Sequence, residues 1–155
     1  MKVIGNYSLR GRVMSQNWDT PIQLMLDYGD MNVAYRVTSL MVSMPGALAS
    51  GDDCFAKLAT SDEVVPIASS WFWGDNREIA WAQSTVAAAG RRSMNSLPWN
   101  GIIDGDNLVV GDLFLIIESD SGTESSVNYK IELEKLKVAP EVTIMTLVNQ
   151  VDQSD

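Results

Sequence analysis

The chain has no histidine and only one cysteine, Cys54, among its 155 residues. Without histidine there is no Ser-His-Asp triad, no imidazole base and no His-ligated zinc or iron. One cysteine excludes an internal disulfide and a cysteine-cluster metal site. Basic residues are scarce: 11 Lys and Arg stand against 20 Asp and Glu, a net charge of −9. A phosphate backbone is held by a basic face, so direct nucleic-acid binding is not expected. No apolar run approaches the ~18 residues of a membrane span. Met1-Lys2-Val3-Ile4 leads straight into Gly5-Asn6-Tyr7-Ser8, with no secretory signal in view.

What is present is ordinary globular material. Hydrophobic residues make up 46% and charged residues 20%, enough for one core without disulfide or metal staples. No linker, low-complexity tract or internal repeat divides residues 1–155, which are expected to form a single domain. Apolar and polar residues alternate along most of the chain, the period of half-buried strands. Val127 to Glu134 is the clearest case: Val127, Tyr129, Ile131 and Leu133 should enter the core, and the even positions should meet solvent. Residues 22–28 repeat the pattern with even positions buried, and Val33, Tyr35, Val37 and Met41 form a third set. Leu108 to Ile117 is apolar nearly throughout, as in a central strand covered on both faces, with Gly111-Asp112 marking a bulge or bend. Trp71-Phe72-Trp73 and residues 77–81 predict strand, turn, strand. Further strands are expected at 3–13, 55–59 and 64–67.

Residues 87–107 form the longest expected irregular stretch, a length associated with functional or partner-packing loops. Only the tail looks helical, over about 140–151, with Pro140 in the first turn and Glu141 near the positive end of the dipole. The fold class predicted is all-β: a two-sheet Greek-key or jelly-roll sandwich of about eight strands with a short C-terminal helix. A closed barrel is the structural alternative.

Several constellations bear on chemistry. Asp104-Gly105-Asp106-Asn107 resembles part of a calcium loop. An Asp-Gly turn is the simpler reading; if calcium binds, Asp104, Asp106 and Asp112 are the expected ligands, and no other cofactor is implied. Asp52-Asp53 and Asp62-Glu63 are acid pairs, and paired carboxylates can act as acid and base on a sugar, but solvated loop acids are the favoured reading. Five tryptophans suit core or interface positions before sugar-stacking platforms. Trp18 and Trp99 are the better candidates for exposed contacts. Arg91-Arg92 is the only adjacent basic pair, suited to a salt-bridged contact between subunits. Cys54 has no basic neighbour to activate it. In the tail, Val142, Ile144, Met145, Leu147, Val148 and Val151 form an apolar set too wide for one contact. The helix is therefore expected to pack on its own sandwich and on a neighbouring subunit. The expected interface residues are Arg91, Arg92, Trp99, Ile144, Leu147, Val148 and Val151.

Four stretches carry a resemblance: residues 51–59 (GDDCFAKLA), 73–82 (WGDNREIAWA), 103–114 (IDGDNLVVGDLF) and 128–134 (NYKIELE). Across about residues 50–135 the chain looks like small single-jelly-roll virion structural proteins of marine and other environmental viruses. That resemblance implies a non-enzymatic capsid or shell subunit, made in the host cytoplasm and located in the virion. Such a subunit would self-assemble as a homo-oligomer, with other virion proteins as further partners. The chain departs from many small-virus coat proteins in lacking a long basic arm, which puts genome binding in doubt. The alternative is a carbohydrate- or ligand-binding β-sandwich module, such as a virion spike or receptor-binding domain. A hydrolase using the acid pairs stands third.

Overall fold

The computed structural model describes residues 1–26, 30–45, 51–88, 91–94, 101–122 and 125–151. Within them lie nine strands: β1 (Lys2–Met14), β2 (Ile22–Leu24), β3 (Val33–Ser43), β4 (Asp53–Ala59), β5 (Glu78–Ala88), β6 (Arg91–Met94), β7 (Ile102–Ile103), β8 (Leu113–Ser119) and β9 (Ser126–Lys137). One α-helix, α1 (Pro140–Val151), follows, and a single 3-10 turn at Ser15–Asn17 links β1 toward β2.

All pairings are antiparallel and fall into two sheets, β1-β9-β3 and β2-β8-β4-β5-β6, with β7 also on β5. First strand pairs with last, second with next to last, and fourth with fifth. The third also finds a late partner, because Tyr35 and Val109 exchange two backbone hydrogen bonds of 2.8 Å. This nested wrapping is the jelly roll. The fold expected from the alternation is the fold observed.

The core lies between the sheets. From one come Val13, Tyr35, Val37, Leu40, Val42, Val127, Ile131 and Leu133; from the other come Cys54, Ala56, Leu58, Ile79, Leu113, Leu115 and Ile117. Ile131 and Leu133 are buried as the alternation required, whereas Tyr129 is only half-buried against the core. In β3 the register shifts between Val37 and Ser39. This bulge reverses the phase, so Leu40 and Val42 enter the core and Met41 does not.

Other expectations need correction. Leu108 to Ile117 is not one strand. Val109 bridges the first sheet, the chain bends at Gly111-Asp112, and Leu113 begins β8 in the second. Residues 64–67 and 71–73 form no strands. Turns replace them: Ser70 N–H donates to the Ile67 carbonyl (3.1 Å) and Asp75 N–H to that of Phe72 (3.0 Å). Residues 60–77 thereby cover the outer face of the second sheet, where Val64 and Ala68 pack on Ala59 and Ile116. The stretch expected to be irregular over 87–107 contains the end of β5 together with β6 and β7. Gly101 is required there by a close approach, since a Cβ would come within 2.0 Å of the Trp81 carbonyl oxygen.

Candidate functional site

α1 is where sequence and structure meet most informatively. At 3.6 residues per turn, Thr143 and Gln150 share one face, and Ile144, Met145 and Val148 lie opposite. The face turned to the domain is the polar one. Thr143 is 3% exposed and its Oγ1 donates to the Met31 carbonyl (2.8 Å). Gln150 Nε2 donates to the Leu108 carbonyl (3.0 Å). Ile144, Met145 and Val148 point outward, Met145 being 66% exposed, whereas the less exposed Val142 and Leu147 line clefts where α1 meets the domain. The apolar set was expected to serve two contacts. Val142 and Leu147 border the inner one, and side-chain hydrogen bonds to loop carbonyls hold α1 in place.

The remaining expected residues are scattered. Arg91 and Arg92 begin β6, opposite Ala88 and Val86, rather than lying in a loop; their side chains, like that of Val151, fall outside the description. Trp99 lies outside the described residues. Trp18 is partly buried against the core; among the described residues the strongly exposed indole is Trp73, at 65%. Asp104 and Asp106 line a cleft with Val142 and Thr146 of α1, and Asp104 Oδ1 accepts the Asp106 N–H at 3.2 Å. Asp112 instead accepts from Gln23 Nε2 at 2.8 Å. Among the described residues no group of three or more acids or cysteines is placed to hold a metal ion, so the spaced acids are not assembled as a calcium set. Asp52 accepts from Ser121 Oγ (3.0 Å), and Asp62 and Glu63 line a cleft with Leu147 and Gln150.

Two polar clusters were not foreseen. Lys57 points away from the main core, and the alternation around Cys54, Ala56 and Leu58 makes that direction legible. Only the cover supplied by residues 60–77 buries it. Its Nζ lies 2.7 Å from Glu78 Oε1, both side chains being fully inaccessible. Nζ also donates to the Ser70 carbonyl (3.0 Å) and sits 5.9 Å from the Phe72 ring centre. Glu78 Oε2 accepts from Phe72 N–H (2.8 Å) and Trp81 Nε1 (2.9 Å). These bonds replace a strand ladder for residues 70–72.

The second cluster is Asp19 with Glu118. Asp19 has a left-handed backbone, φ 53°, and its Oδ1 accepts from Ala68 N–H (3.1 Å), while Glu118 Oε1 accepts from Ser69 N–H (2.8 Å). Burial, with Asp19 beside it, raises the Glu118 carboxyl above its ordinary value. Cys54 is buried in the core, and desolvation pushes its thiol up to about 12, which suppresses the thiolate.

No helix among the described residues is long and apolar enough to cross a membrane. Compared with known proteins, the chain matches no protein-family model and no curated protein.

Proposed function

We propose that this protein is a structural subunit of a virion shell, acting without catalysis and assembling with copies of itself. The observation that carries the reading is the orientation of α1 on a jelly-roll domain. Three apolar side chains of one short helix, Ile144, Met145 and Val148, face outward. A helix of this length is marginal alone, and an apolar patch of this kind marks a contact surface. Loops and strand edges complete the assembly, with β1 offering a 13-residue edge strand. The reading requires no cofactor, places the protein in the virion, and leaves genome contact to other components.

A carbohydrate-binding module is the second reading, favoured by the exposed Trp73 ring near the polar residues Asp75 and Asn76. Light scattering after size exclusion, followed by electron microscopy of the purified full chain, separates the two. Rings, shells or other large closed assemblies are expected. A monomer that binds immobilised glycans through Trp73 would overturn the shell reading.

A further inference from the structure

A second apolar surface stands on the segment that covers the outer face of the second sheet. Val65, Ile67, Phe72 and Trp73 are all exposed there. Their backbone is held from beneath: Trp71 Nε1 donates to the Ala68 carbonyl (2.7 Å), Lys57 to that of Ser70, and Glu78 accepts the Phe72 N–H. Trp73 meets the buried Trp81 edge-on, ring centres 6.2 Å apart. Exposed aromatics on a pre-set backbone lose little freedom on binding, which is the property of an interface anchor.

We infer that this platform receives the outward face of α1 from a second copy of the chain. The inference rests on the shell-subunit reading and names the surface the helix meets. Charge is the first argument. Each copy carries −9, yet residues 64–74 and 142–151 contain no ionisable side chain. Joining the uncharged centres of these two surfaces buries no unpaired charge and leaves the flanking acids Glu63, Asp75 and Glu141 at the rim.

Shape chemistry is the second argument. Ile144 and Val148, one turn apart with Met145 beside them, form the ridge that a helix lays on an aromatic-lined surface. The ridge of the same copy is turned away, because Thr143 and Gln150 tether the opposite side of α1. A lipid surface is a poorer occupant, since α1 has no Lys or Arg to meet headgroups. Finally, the two surfaces differ, so the contact is heterologous. Such a contact propagates into rings, whereas α1 against α1 would stop at a dimer.

The test uses full-length Trp73→Glu, Val148→Lys and the double variant, with sedimentation velocity as readout and circular dichroism as the fold check. Each single substitution should raise the critical assembly concentration about tenfold or more. The double variant brings a carboxylate against an ammonium at every contact and should recover most of that loss. Trp73→Ser and Val148→Ser serve if a charged variant misfolds. Assembly by Trp73→Glu at the wild-type concentration overturns the inference while leaving the shell reading intact. A double variant no better than the worse single also overturns it. A wild-type chain that stays monomeric at micromolar concentrations removes both.

Discussion

Replacing Lys57 by Met tests the idea that a buried ion pair, not a β-ladder, fixes residues 70–72 on the second sheet. The substitution keeps the length of the side chain and removes its charge. Glu78 would then hold a fully buried carboxylate with two N–H donors but no cation, and the Ser70 carbonyl would lose its donor. Breaking a buried pair from one side costs about 3–5 kcal/mol. Glu78→Gln should cost a similar amount, because it strands the Lys57 ammonium beneath Phe72. In the double variant both charges are gone, and the Gln oxygen still accepts from Phe72 N–H or Trp81 Nε1. Its cost should fall short of the sum by about 2–3 kcal/mol, near the upper end of coupling between contacting residues. Urea unfolding followed by tryptophan fluorescence, at concentrations where the chain is monomeric, gives all four free energies. Additivity within about 0.5 kcal/mol would refute the reasoning. So would a Lys57→Met cost below about 1 kcal/mol, the range of exposed pairs.

In β9, Ile131→Ala should destabilise the fold by about 2–5 kcal/mol, whereas Glu132→Ala should stay within about 0.5 kcal/mol; the same unfolding assay decides, and equal effects would refute the strand phase. The raised Glu118 carboxyl means that the folded state holds its proton more tightly than the unfolded chain does. Its contribution to stability should be full below the ordinary glutamate value of 4.5 and be lost as pH rises through the folded-state value. Glu118→Gln should flatten that part of a pH series of melting temperatures. Asp75 carries the opposite sign: the hydrogen-bonded Arg77 guanidinium holds its carboxyl below the ordinary 3.8. Its contribution should be present above that value and be lost as pH falls through the lower folded-state value. Cys54 should resist alkylation in the native protein at pH 8 and react on unfolding, as followed by mass spectrometry; rapid native labelling would contradict its burial.

Most of the fold class was legible along the chain because burial in a strand is written at period two. The run from Val127 to Leu133 shows it: inward positions are apolar whichever strands lie beside them. The start of α1 was equally local, since Pro140 and Glu141 suit a first turn whatever the helix later touches. Where neighbours decide, the sequence was silent. Leu108 to Ile117 is apolar throughout, and nothing local tells whether Gly111-Asp112 is a bulge within one strand or a crossing between sheets. The bridge from Val109 to Tyr35 settles it, a contact across 74 residues. Lys57 sits at an outward position by local pattern and is buried because a distant loop lies over it. α1 illustrates the same division. Its sequence determined that a helix with a broad apolar set would form. Which side faces the domain depended on the loop carbonyls of Met31 and Leu108, which accept from Thr143 and Gln150 and so turn the apolar side to solvent.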